Sequence, residues 1–160
     1  MEFDLLLHNA LVLTLEPGAE PLENGYVAIQ GGKIAAVGQA GGPDDLPAAR
    51  ARLGLLDALV MPGLVNTHCH APMVWFRGLA DDLPLSQWLN RVIFPAESAW
   101  LNRERVYWGA MLAAAEMLRA GITTVADGYF FETEVRRAMA DAGLMWVLAQ
   151  WLVEIGRAHV

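Results

Sequence analysis

The sequence predicts an α/β fold in two parts, a small β-module over residues 1–59 and the opening of a parallel sheet over residues 60–153. Three observations carry this reading. Short apolar runs broken by Gly, Pro and Asn fill the first part. Beyond it, strand-like runs alternate with helical stretches, the pattern of parallel strands joined by right-handed crossovers. The first of those runs, Val60-Met61-Pro62-Gly63-Leu64-Val65-Asn66-Thr67-His68-Cys69-His70, ends in two histidines one residue apart.

In the β-module, Leu5-Leu6-Leu7 and Leu11-Val12-Leu13-Thr14-Leu15 read as strand runs on either side of Asn9. A loop over 16–24 follows. Tyr26–Gln30 and Lys33–Val37 read as a hairpin turned by Gly31-Gly32, because a two-residue turn needs positive φ and glycine supplies it. Residues 38–51 read as a loop around Gly41-Gly42-Pro43-Asp44-Asp45. The module's open strand edges find no partner elsewhere in the chain.

In the second part, Ala71–Leu85 reads as a long loop. Ser86 is expected to cap a short helix, Gln87–Phe94, that Pro95 breaks. Asn102 then caps a long helix, Arg103–Ala120, with Val106, Ala110, Ala113, Ala114 and Met117 as its apolar stripe and Gly121 as its stop. Ile122–Ala126 is a buried strand, Glu134–Ala142 a helix stopped by Gly143, and Leu144–Val153 a third strand.

Residues 154–160 abandon this pattern. Ile155–Val160 is what ATC GGA AGA GCA CAC GTC encodes, which resembles a common sequencing adapter. A non-native tail and a gene cut near Val153 are therefore expected, and His159 is not offered as a ligand.

Composition limits the function. A net charge of −7 with no cluster among the eleven Lys and Arg argues against nucleic acid as a partner. The single cysteine excludes an internal disulfide and fits a reducing cytoplasm. The N-terminus, Met1-Glu2-Phe3-Asp4, lacks the positive start of a secretion signal, and no apolar run reaches the roughly 18 residues of a membrane span. The expectation is a cytoplasmic protein without a membrane partner.

The chemistry concentrates at His68 and His70. Residues i and i+2 of a strand share a face, so the two imidazoles can meet one metal ion while Cys69 points away into packing. Imidazole suits zinc, iron and nickel alike. Zinc enzymes hold their ion with three or more protein ligands, so this pair needs others.

Val60–His70 resembles the first barrel strand of the amidohydrolase superfamily. Arg77-Gly78-Leu79-Ala80-Asp81-Asp82-Leu83-Pro84-Leu85, Trp88-Leu89, Pro95-Ala96-Glu97 and Ala115–Thr124 with Asp127 and Tyr129 look like its branch of 5-methylthioadenosine/S-adenosylhomocysteine deaminases. The order of Leu53-Gly54-Leu55-Leu56-Asp57-Ala58 departs from the Asp-then-Gly turn usual before that strand.

The resemblance covers about Phe3 to Val153 and implies the N-terminal portion of a (β/α)8 TIM-type barrel preceded by half of a small β-sandwich, truncated here. It implies a divalent metal, zinc first and iron as the alternative, on His68 and His70, with a histidine and an aspartate from later strands. The proton-shuttling glutamate would also lie beyond residue 160, so no catalytic residue falls within the chain. The implied reaction is hydrolytic deamination of an adenine nucleoside, a small-molecule partner, with ammonia leaving; homo-oligomers are common among such enzymes.

Glu97 is implied to accept hydrogen bonds from the ribose hydroxyls, its plain alternative being a solvated carboxylate at a helix end. Trp75, Phe76 and Trp88 are implied walls of the pocket, and Gln150 is placed to face it. Asp127 reads as a structural hydrogen-bonding group and His8 as a surface residue. The competing functions are a triazine or other heteroaryl hydrolase, a guanine or cytosine deaminase, and a non-catalytic truncated product.

Overall fold

The structure, a computed structural model, describes residues 2–150. The expected strand end at 151–153, the tail with His159 and the side chain of Gln150 lie outside the described residues. The chain divides into two compact units, Met1–Pro62 and Gly63–Val160. Among the described residues no helix is long and apolar enough to cross a membrane.

The first unit is one sheet. Strands β1 (Phe3–Val12), β2 (Leu22–Gln30), β3 (Lys33–Gln39) and β4 (Ala49–Gly54) stand in the order β3-β2-β1-β4, and the short β5 (Leu59–Val60) also pairs β1. Gly31 and Gly32 turn the β2–β3 hairpin with φ of +57° and +74°, as its sequence required. Ala10, Val12 and Val27 form the buried centre.

Three expectations need correction here. β1 does not stop at Asn9; it runs through with Asn9 at φ +59° in a bulge, which a short polar side chain tolerates. The loop over 38–51 gives way to β4, parallel to β1 from Phe3↔Ala49 to His8↔Gly54. Its alternating Ala and Arg side chains hide a strand, because Ala is a poor strand former and the charges belong on an edge. His8 is half-buried rather than superficial, since side-chain-free Gly54 stands opposite it in the register, and its Nδ1 has no hydrogen-bond partner.

The second unit is a parallel sheet of β6 (Leu64–Cys69), β7 (Ile122–Tyr129) and β8 (Met145–Gln150), with β7 in the middle. Helices α3 (Arg103–Arg119) and α4 (Glu132–Ala142) cover one face. The apolar stripe of α3 is buried in full and meets Val125 of β7 and Val135, Ala138 and Met139 of α4. Asn102 caps α3 by accepting from the Arg105 amide at 2.9 Å. Trp146 and Leu148 of β8 pack on this core. Alternation turns Met145 and Val147 to the opposite face, where they are 65% and 69% exposed.

The helix before α3 also departs from expectation. It begins at Leu85 behind Pro84, without a Ser86 cap, and Pro95 does not end it. Helix α1 (Leu85–Trp88) widens into a π-turn (Leu89–Ile93) and continues as α2 (Phe94–Trp100). Proline lacks an N–H and crowds the carbonyl four residues back. A π-turn just ahead of Pro95 relieves both demands, so the helix carries on and delivers Glu97. The loop expected over Ala71–Leu85 starts with a 3-10 turn, Ala71–Phe76.

Gly109 of α3 seats that turn against the helix. A Cβ there would lie 2.4 Å from Trp75 Nε1 and 3.1 Å from Pro72 Cα. Trp75 Nε1 also donates to the Arg105 carbonyl at 2.8 Å, so the indole cannot move without losing that bond. Gly109→Ala is therefore expected to destabilise the chain by about 1–3 kcal/mol in urea unfolding, overriding the roughly 1 kcal/mol that alanine gains in a helix interior.

Candidate metal centre and its carboxylate neighbours

The histidines owe their direction to a bulge. Val125 of β7 pairs with Asn66, and Asp127, two residues on, pairs with Cys69, three residues on. Thr67 and His68 thus stand opposite one residue, Ala126. Asn66 and Cys69 both stay on the helix-covered side: Asn66 Nδ2 reaches Met117 Sδ at 3.8 Å, and Cys69 packs on the core. The bulge leaves His68 and His70 on the other side, with the His68 amide donating to Asn66 Oδ1 at 3.2 Å.

His68 Nε2 and His70 Nε2 are 3.1 Å apart. His70 Nδ1 lies 2.7 Å from the Gly128 carbonyl oxygen. A carbonyl only accepts, so the proton sits on Nδ1 and Nε2 carries the lone pair. Without a metal, His68 Nε2–H can donate to that lone pair. A divalent ion taking the place of this proton would be held by the same two atoms, whose separation lies within the roughly 4.1 Å that two zinc–nitrogen bonds can span. The carbonyl behind His70 is the kind of group that orients a metal-binding imidazole. Among the described residues no further His, Cys, Asp or Glu completes a group of three ligands.

The last three residues of β7 hold this corner together. Asp127 Oδ1 accepts from the Ala71 amide at 2.7 Å, fixing the chain just after His70. The Gly128 carbonyl takes His70 Nδ1. The Tyr129 hydroxyl donates to Glu97 Oε1, and its ring stacks on His70 with centroids 6.5 Å apart. Glu97 and Tyr129 are both buried. Burial pushes the Glu97 carboxyl above its ordinary value, while the Tyr129 hydroxyl and the electrostatic influence of His70 draw it back. Burial, and then Glu97, push the Tyr129 phenol up.

Glu97 is therefore no solvated helix end. Trp88 and Phe76 line a cleft of about 570 Å³ that His70 borders, but its wall is formed by Ala113, Glu116 and Met117 of α3, and Glu97 and His68 do not line it. Trp75 lies apart from it, bonded to the Arg105 carbonyl and edge-on to Trp100 at 5.4 Å. Gln150 ends β8 opposite Tyr129.

Sequence reasoning gave no role to Tyr129 or to Glu132. The signal for Tyr129 was its period-two spacing from Val125 and Asp127, all three of which are buried. Glu132, in the first turn of α4, is buried with neither carboxylate oxygen hydrogen-bonded, and Asp127 Oδ2 is likewise orphaned. Burial, reinforced by Asp127, pushes the Glu132 carboxyl up to about 7. Burial likewise pushes the Cys69 thiol up to about 12, with Asp127 adding to it, so this thiol is inert packing.

The Glu132 shift has a definite sign. Its stabilising contribution is complete below the ordinary value of 4.5, where both states are protonated, and is lost as pH rises through about 7. Urea unfolding at pH 5 and pH 8 should show wild type losing about 1–2 kcal/mol more stability than Glu132→Gln over that interval.

Comparison with known proteins bears on the family of the chain. The model of the amidohydrolase family matches residues 59–157. The chain is 50% identical over 157 residues to a 5-methylthioadenosine/S-adenosylhomocysteine deaminase of Syntrophobacter fumaroxidans, covering 98% of this chain and 35% of that protein. It is 43% identical over 152 residues to a 5′-deoxyadenosine deaminase of Methanosarcina acetivorans, covering 95% and 34%. The chain thus spans about a third of the length of these curated relatives.

Among solved structures, a zinc-bound adenosine deaminase from Xanthomonas campestris superposes with a TM-score of 0.86 at 40% identity, covering 91% of this chain and 33% of that one. A zinc complex of atrazine chlorohydrolase from Arthrobacter aurescens superposes at 0.80 and 23% identity, covering 91% and 35%, a likeness of fold alone. The family match extends over more than half of the sequence, and the chain belongs to the amidohydrolase family.

Proposed function

We propose that this chain supplies the N-terminal third of a metal-dependent hydrolytic deaminase that converts 5-methylthioadenosine or S-adenosylhomocysteine to the inosine analogue and ammonia. The carrying observation is the pairing of His68 and His70 Nε2 at 3.1 Å with Glu97 tied to the same corner through Tyr129. The names of the relatives support the substrate class. Their greater length supports a (β/α)8 barrel of which β6, β7 and β8 are the first three strands, with the first unit as part of a β-sandwich.

In this reading His68 and His70 hold zinc, with iron as the alternative. The metal, when bound, supplies the Lewis acidity that brings the pKa of water towards 7. The chain's own residues bind and orient. His70 is kept in one tautomer by Gly128, and Glu97 accepts hydrogen bonds from the ribose 2′- and 3′-hydroxyls, which one carboxylate has the lone pairs to do. Trp88, which borders the same cleft as His70, contributes to the wall around the nucleoside, whereas Trp75 is held away by its bond to the Arg105 carbonyl. The relatives are about three times as long, so the remaining ligands and the proton-shuttling glutamate are assigned to sequence outside this chain, and the 160-residue polypeptide alone is expected to bind metal weakly and to release no ammonia. Triazines and bare bases lack the diol that Glu97 would engage, which favours a nucleoside over those substrates.

The test is ammonia release by the full-length gene product from 5-methylthioadenosine and from a chlorotriazine. Turnover of the nucleoside is expected, and its absence would overturn the reading. Replacing His70 by Ala should lower bound metal from about one ion per chain to a trace and cut turnover on the order of a thousandfold.

A further inference from the structure

Tyr129 bridges the two ends of the candidate site. Its ring lies on His70 and its hydroxyl on Glu97 Oε1, and it is 1% exposed. Among the described residues it is the one hydrogen-bond partner of the Glu97 carboxylate. A glutamate side chain has three rotatable bonds, and a buried one with a single donor on one oxygen is held by that donor. Oε2 and the second lone pair of Oε1 stay available as acceptors. A nucleoside has the matching layout, with its reacting base at one end and its vicinal diol at the other.

We propose that Tyr129 is a positioning residue that presents Glu97 to a vicinal diol and thereby sets a preference for ribose over 2′-deoxyribose. The proposal rests on the reading of Glu97 given above. Losing the phenol hydroxyl leaves the ring packing intact, but it frees the carboxylate to rotate and removes the donor that offsets its burial. Two hydroxyls then meet a carboxylate that must first be ordered, whereas a 2′-deoxy substrate, which needs less of that order, loses little.

The experiment compares full-length wild type, Tyr129→Phe and Glu97→Ala on 5-methylthioadenosine and its 2′-deoxy analogue. The readout is the ratio of the two kcat/KM values within each protein, which is independent of the fraction folded. A second readout is the ratio of dissociation constants of the ribo and 2′-deoxy inosine products on metal-free protein. Wild type should prefer the ribonucleoside, and Tyr129→Phe should lose about tenfold of that preference through KM, with kcat within about threefold. Glu97→Ala should abolish the preference.

An unchanged preference in Tyr129→Phe beside a lost one in Glu97→Ala would overturn the positioning role alone. A preference that survives in Glu97→Ala would overturn the diol reading of Glu97 and the positioning role with it.

Discussion

The hydrogen bond between His70 Nδ1 and the Gly128 carbonyl, 2.7 Å long, is the constraint on which the candidate site depends. It decides which nitrogen of His70 faces His68, and so whether the pair can share an ion at all. It also ties the end of β6 to the end of β7, the central strand of its sheet, whose backbone is paired on both sides. Asp127 and Tyr129, flanking Gly128, extend the same grip to the Ala71 amide and to Glu97. Three consecutive residues of one rigid strand therefore set the turn after His70, its tautomer and the nearest carboxylate. A site built on such an element keeps its geometry better than one built on loops.

That arrangement concentrates acidic groups in a poorly solvated place. Asp127, Glu97 and Glu132 are all buried, and burial raises the pKa of each. Glu97 has a tyrosine donor, and Asp127 has a backbone amide on one oxygen. Neither Glu132 oxygen has a hydrogen bond of good geometry, the Tyr129 backbone drawing the carboxyl only partly back, and it is the one pushed furthest, to about 7. Cys69, wedged between the two histidines in sequence, is kept as a neutral thiol by the same neighbourhood. The thiol thus stays protonated and packed, while the imidazole pair faces the other side of the strand.

Much of the fold could be read from residue patterns because those patterns report burial directly. The stripe from Val106 to Met117, the Asn102 cap and the Gly31-Gly32 turn each follow from a local rule, and each is found. The histidine pair was legible for the same reason, as a period-two signal at the end of an apolar run. What could not be read depends on partners distant in sequence. β4 exists because β1 offers it an edge, not because Ala-Arg-Ala-Arg prefers extension. The helix through Pro95 exists because a π-turn absorbs the proline. The bulge at Thr67 and His68 appears only once β6 is aligned with β7, and Tyr129 acquires meaning only when α2 brings Glu97 to it.

The most direct test of this account is the tautomer of His70. Long-range ¹H–¹⁵N correlation spectra of the metal-free, ¹⁵N-histidine-labelled chain at about pH 8, assigned with His68→Gln and His70→Gln variants, report which ring nitrogen carries the proton. The account predicts a single Nδ1-protonated tautomer at His70, held by the Gly128 carbonyl. An Nε2-protonated ring, or a freely exchanging mixture, would contradict it.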